Sequence, residues 1–165
     1  MKKYFRVFIV FVVLYFFGIA NLAARDLDDI NLNQAQDFQL QDLDNNTVSL
    51  ASYKGKQPVI LFFWTTGCPF CQQELRKLKD RYEDLTKDGV ELLAINVNEA
   101  SHKVERAVKN YGLSFKVLLD KDASVADSFE VLGVPTYILI NKNGRIAASD
   151  HTFPQSEYKD LISGK

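Results

Sequence analysis

The sequence predicts an α/β fold, a central mixed β-sheet flanked by helices, and three observations predict it. Apolar segments rich in β-formers alternate with segments of helical periodicity from Pro58 to about Gly133. Two of those segments, "PVILFFW" and "VELLAINVN", have almost no polar face, as expected of strands covered on both sides. Asn143-Gly144 stands between "TYILI" and "RIAAS", a tight-turn signal that joins two antiparallel strands. Alternating strands and helices imply a partly parallel sheet with helices on both faces, and the final hairpin makes it mixed.

The elements follow in order. "FQLQDLDNNTVSL" alternates apolar and polar residues on both sides of Asp44, Asn45 and Asn46, the signature of a β-hairpin. Ala51–Lys56 reads as one helical turn closed by Gly55. Pro58–Trp64 is a strand. Pro69 starts a helix that runs to about Lys87, with Leu75, Leu78, Tyr82 and Leu85 at helical spacing and Gly89 as its stop. Val90–Asn98 is a second buried strand. Ser101–Gly112 has a serine cap and a glycine stop, so it is a short helix. Phe115–Asp120 is a strand, Ala123–Gly133 a helix, Thr136–Ile140 a strand, and Gln155–Ile162 a short closing helix.

A chain of 165 residues, 47% hydrophobic and 25% charged, has the composition of one globular domain. Its N-terminus departs from that average. "MKKYFRVFIVFVVLYFFGIANLAAR" places Lys2, Lys3 and Arg6 before an apolar run from Val7 to Ala20. That pattern describes a secretory signal, with Gly18 and Ala20 as a small-x-small cleavage site. The same residues also describe a retained anchor, since Val7 to Ala24 is just long enough to cross a bilayer. Both readings carry the rest of the chain out of the cytoplasm. Residues 1–24 are therefore expected to be a signal or membrane anchor, 25–36 a polar linker, and 37–165 the folded domain. Residues 1–24 hold three basic residues and no acidic one, which leaves 17 basic and 21 acidic from Arg25 on. A mildly acidic domain offers no basic stripe for nucleic acid.

The chain has two cysteines, Cys68 and Cys71, at the handover from the Pro58–Trp64 strand to the helix that Pro69 begins. A helix N-terminus carries unpaired N–H groups and partial positive charge, so a thiolate there is stabilised. Proline suits the first helical position, which needs no N–H. Cys68 is thus expected at the exposed helix end as nucleophile, with Cys71 one turn inside to resolve a mixed disulfide. The alternatives are weaker. A structural disulfide gains entropy with loop length, and this loop is among the shortest. A zinc site needs about four ligands, and His102 and His151 lie far from any paired spacing. A C-x-x-C pair beside a β-α-β unit is instead a thioredoxin-like redox signature. "GVPTY" supports it, with Val134 and Pro135 just before a strand.

From about Asp37 to Ile162 the chain resembles the TlpA/ResA-like thiol–disulfide oxidoreductases of the thioredoxin superfamily. The matching pieces are "FQLQDLDNNTVSL", "KGKQPVILFFWTTGCPFCQQEL", "GVELLAINVNE" and "VLLDKDASVADSFEVLGVPTYILINKNGRI". The resemblance implies a thioredoxin-like fold with an added N-terminal β-hairpin and a central insert around Asn98–Asp120. It implies that Cys68 attacks and Cys71 resolves, that Pro135 is cis, and that Val134 pairs with an extended partner segment. Glu74, three residues after Cys71, matches an acidic residue near the dithiol, as a proton relay or as a solvated helix glutamate. Glu99 matches a second acidic residue, and Trp64 a strand-end tryptophan packed near the site. The implied partners are protein thiols and disulfides, apocytochrome c in the ResA-like subset, with a membrane thiol reductase upstream. No metal, haem or nucleotide is implied.

Two departures bear on this. Many members carry Trp just before the first cysteine, where this chain has Gly67. The pair Pro69-Phe70 between the cysteines leaves the direction of electron flow open. A disulfide-introducing oxidase uses the same frame. A peroxiredoxin shares the fold but wants Pro-x-x-x-Thr-x-x-Cys. Thr65 stands at the right distance from Cys68, but the proline position is Leu61.

Overall fold

In the computed structural model, which describes residues 33–163, the central sheet has seven strands in the order β2-β1-β5-β4-β3-β6-β7. They are β1 (Gln39–Asp42), β2 (Thr47–Ser49), β3 (Val59–Trp64), β4 (Glu91–Val97), β5 (Lys116–Asp120), β6 (Thr136–Ile140) and β7 (Ile146–Asp150). Among the described residues four helices flank the sheet: α1 (Pro69–Lys87), α2 (Ser101–Tyr111), α3 (Ser124–Ser128) and α4 (Gln155–Ser163). Strands β3, β4 and β5 run parallel, while β6 and β7 join antiparallel, so the sheet is mixed as expected. The N-terminal hairpin β1–β2 extends the sheet by pairing β1 antiparallel to β5. The segment read as a signal or anchor lies outside the described residues. Within the expected linker, the Ala35 N–H donates to the Gly144 carbonyl at 2.9 Å. Among the described residues no helix is long and apolar enough to cross a membrane.

Strand β3 explains why its sequence has no polar face. All six residues are buried, and they alternate between two cores. Ile60, Phe62 and Trp64 face a core built with Leu75, Leu78 and Leu85 of α1, Val104 of α2 and Tyr158 of α4. Val59, Leu61 and Phe63 face a second core with Phe38, Leu50 and Val125 and Ala126 of α3. Each fully buried large apolar side chain contributes about 1.5–3 kcal/mol, so this strand anchors both layers.

Three expectations need correction. The helix predicted over Ala123–Gly133 stops at Ser128. Glu130 turns to φ 54°, and Phe129 packs edge-on against Phe38 and tilted against Phe63. The Glu130 N–H turns back to the Asp127 carbonyl at 3.0 Å and the Val131 N–H to the Ala126 carbonyl at 2.9 Å, which closes the helix just past Phe129. Ser101 is the first residue of α2 rather than its cap, and Ala100 takes the cap position without a side-chain bond. The turn predicted over Ala51–Lys56 is a 3-10 turn at Leu50–Ser52, after which Gly55, at φ 78°, donates its N–H to the Lys142 carbonyl. The hairpin turn at Asp44–Asn46 forms as expected. It is organised by Asp42, whose carboxylate accepts the Asp44 and Asn46 amides at 2.9 and 2.8 Å.

Candidate active site

The site forms where β3 ends and α1 begins, beside the loop that leads into β6. Cys68 caps α1 in extended conformation, and its sulfur accepts the Cys71 N–H at 3.1 Å. That is the bond a helix N-terminus offers an anion, placed on the thiol itself. Pro69 occupies the first helical turn, where its missing N–H costs nothing. The Cys68 sulfur also lies 3.7 Å from the Val134 carbonyl oxygen, to which its S–H donates. Val134–Pro135 is a cis peptide bond. Cys68 is half-buried and Cys71 fully buried, and the two are unbridged. Burial, reinforced by the neighbouring Cys68 thiol, pushes the Cys71 thiol up to about 12. Cys71 therefore stays protonated at neutral pH.

The loop before Cys68 is held by a half-buried acid. Glu99 accepts the Thr66 N–H at 2.7 Å, the Thr66 hydroxyl at 2.8 Å and the Asn96 amide at 2.8 Å, and pairs with Lys103. Burial alone would raise its pKa, but these donors outweigh burial and bring it down to about 2. Gln72 closes the same loop from the helix side, donating to the Thr66 carbonyl at 3.0 Å. Glu99 is thus a fixed anion behind the loop that presents Cys68.

Glu74 is not a solvated helix residue. It is 8% exposed, one turn beyond Cys71 on α1. The Tyr137 hydroxyl donates to its Oε2 at 2.9 Å and the Lys77 ammonium to its Oε1 at 2.7 Å. Burial first, and then the Glu74 carboxylate, push the Tyr137 hydroxyl far up, so it remains a donor. Trp64 is fully buried in the cluster that holds Cys71 and against which Cys68 packs. All seven residues singled out in the sequence lie around this one end of the sheet.

Sequence reasoning missed the parts played by Thr66, Asn96 and Tyr137. Asn96 was signalled by being the lone polar residue in the apolar run "LLAINV". Tyr137 was not, since an aromatic residue in a buried strand reads as core. Among the described residues no group of three or more His, Cys, Asp or Glu is arranged to hold a metal.

Residues 32–149 match the AhpC/TSA family. The thiol–disulfide oxidoreductase ResA of Halalkalibacterium halodurans is 41% identical over 113 residues, 68% of this chain and 64% of that protein. ResA of Bacillus subtilis is 37% identical over 114 residues, 69% of this chain and 63% of that protein. The chain thus spans a little under two thirds of the length of these relatives. The solution structure of a putative thioredoxin from Neisseria meningitidis superposes with a TM-score of 0.70 at 31% identity, over 79% of this chain and 89% of that one. The fold is thioredoxin-like, and the chain belongs to the AhpC/TSA family, with its sequence likeness directed to the ResA thiol–disulfide oxidoreductases.

Proposed function

We propose that the protein is an exported thiol–disulfide oxidoreductase that reduces disulfides of partner proteins through Cys68 and Cys71. The observation that carries this reading is the position of the Cys68 sulfur. It is half-exposed, it accepts the Cys71 N–H, and it faces the Val134 carbonyl where an extended partner would lie.

The Cys68 thiolate attacks one sulfur of a partner disulfide, and the other partner sulfur leaves as a thiolate and takes up a proton. Cys71 then loses its proton and attacks the Cys68 sulfur. The second partner thiolate leaves and is protonated. Two electrons have passed from the dithiol to the partner, and Cys68–Cys71 is oxidised. A membrane thiol reductase supplies the two electrons that restore it. Glu74, one turn on from Cys71, receives the Cys71 proton in this scheme, and Glu99 keeps the Cys68 loop in place. Trp64 and Pro135 wall the site, and Val134 pairs with the partner backbone.

The reducing direction draws support from the resemblance to the TlpA/ResA-like family, many of whose members keep partner cysteines reduced. The basic-then-apolar N-terminus supports export by a signal or an anchor. The likeness to ResA supports apocytochrome c as the partner. A peroxidase is disfavoured by Leu61, which stands at the proline position and is buried in mid-strand between Leu93 and Ile138.

The test is the reduction potential of the Cys68–Cys71 pair, measured by equilibration with thiol buffers. A value near thioredoxin's, about −270 mV, is expected. A value near about −120 mV would make the protein an oxidant and remove the apocytochrome assignment. The absence of any reversible disulfide would overturn the exchange reading.

A further inference from the structure

The segment on which a partner is proposed to lie is braced from behind by a histidine. His151 follows β7, and its Nδ1 lies 2.8 Å from the Pro135 carbonyl oxygen and 3.2 Å from the Thr136 hydroxyl oxygen. The hydrogens available around Nδ1 fix its tautomer. The Pro135 carbonyl can only accept. The one hydrogen of the Thr136 hydroxyl is used on the Gly133 carbonyl, at 2.7 Å. The hydrogen between His151 and Pro135 must therefore sit on Nδ1. Both the neutral Nδ1–H ring and the imidazolium carry it, so the bond survives either protonation state. Three consecutive groups of the docking segment are then spoken for. The Val134 carbonyl faces Cys68, the Pro135 carbonyl is held by His151, and the Gly133 carbonyl is held by Thr136.

The base of the brace is itself rigid. Asp150 accepts the Thr152 N–H at 2.8 Å and the Thr152 hydroxyl at 3.0 Å, fixing the turn that carries His151. Phe153, two residues on, packs edge-on against Tyr137 and lies under the Arg81 guanidinium of α1. The imidazole is exposed, so it fills no core and its packing explains little of its position.

We propose that His151 is a positioning residue for partner docking: by donating its Nδ1–H to the Pro135 carbonyl it holds the Val134–Pro135 segment in register with Cys68. This rests on the exchange reading, because the segment matters only if a partner lies on it. His151 touches neither sulfur. Its removal should impair extended protein substrates and spare small disulfides, which need only Cys68.

The experiment compares wild type, His151→Ala and His151→Asn in the full chain, with dithiothreitol as reductant. The substrates are insulin and bis(2-hydroxyethyl) disulfide. The Asn amide nitrogen is as many bonds from Cα as Nδ1 and donates in its place. For His151→Ala the expected result is about a tenfold rise in KM for insulin, the loss of one good hydrogen bond, with kcat and small-disulfide turnover within about twofold of wild type. His151→Asn should restore KM to within about threefold. In the wild-type protein, nitrogen-15 spectra of the ring should show the proton on Nδ1. An unchanged KM in His151→Ala, an equal loss with the small disulfide, no rescue by Asn, or a ring protonated on Nε2 alone would each overturn the positioning role. Those results leave the exchange reading standing. A wild-type protein inert toward both disulfides would overturn the exchange reading and this role with it.

Discussion

The Glu99 carboxylate accepts both the backbone N–H and the hydroxyl of Thr66, at 2.7 and 2.8 Å, and so ties the end of β4 to the loop in front of Cys68. The two residues are 33 positions apart in the chain. The bonds are charge-assisted and sheltered from solvent, the conditions under which hydrogen bonds are strongest. The loop before the candidate nucleophile is therefore held by the neighbouring strand and not by its own turn alone.

This contact has a pH signature. The Glu99 pKa is depressed to about 2 from an ordinary 4.5, so the carboxylate stabilises the fold above pH 4.5 and loses that effect as pH falls toward 2. Between about pH 7 and about pH 3 its contribution should fall by roughly 2 kcal/mol. Urea unfolding at those two pH values should show wild type losing that much more stability on acidification than Glu99→Ala. An equal loss in both proteins would place the acid sensitivity elsewhere.

The two thiols should differ sharply toward alkylation. Cys68 is half-exposed, while Cys71 is fully buried and pushed up to about 12. Treating the reduced native protein with iodoacetamide at neutral pH should modify Cys68 alone, as peptide mass spectrometry would show. Cys71 should react only after denaturation. Modification of Cys71 at a comparable rate in the native protein would contradict its burial and, with it, the resolving role proposed for it.

Tyr137 and Glu74 form a buried pair from β6 and α1, joined by a 2.9 Å hydrogen bond. Tyr137→Phe leaves the Glu74 Oε2 without that donor in a buried site, which should cost about 1–3 kcal/mol. Glu74→Gln keeps an acceptor for the hydroxyl and should cost less. A double-mutant cycle should return a coupling of about 1 kcal/mol or more. Additive effects would mean that the tyrosine does not hold the carboxylate.

Asp120 is fully buried at the end of β5 and accepts the Val125 and Ala126 amides at 3.2 and 2.8 Å. Burial raises its pKa, and the two backbone donors oppose that rise. Asp120→Ala strands both N–H groups at the start of α3, with an expected loss of about 2–4 kcal/mol. Hydrogen exchange should show the same two amides losing protection. A near-neutral effect would mean that water reaches and satisfies them.

Much of the fold and of the site was legible because the signals are local. The helix α1 begins at Pro69 and ends at Lys87 as its spacing and its Pro and Gly punctuation required, and β6 spans Thr136–Ile140 as read from "TYILI". The cysteine pair, its helix-end position and the Val134–Pro135 segment were also there in short motifs. What the chain did not disclose are contacts between distant residues. The Glu99–Thr66 clamp, the Glu74–Tyr137 bond across 63 positions and the His151 brace on Pro135 each depend on which strands become neighbours. The length of α3 was hidden too, since the chain turns left-handed at Glu130, where no glycine signals the stop. The sequence by itself determined the elements and the dithiol, because periodicity, capping and turn chemistry act within a few residues. The tertiary structure alone decided which acids are buried, which thiol stays protonated and what holds the Val134–Pro135 segment, because burial and long-range hydrogen bonds exist only once the sheet order has brought those residues together.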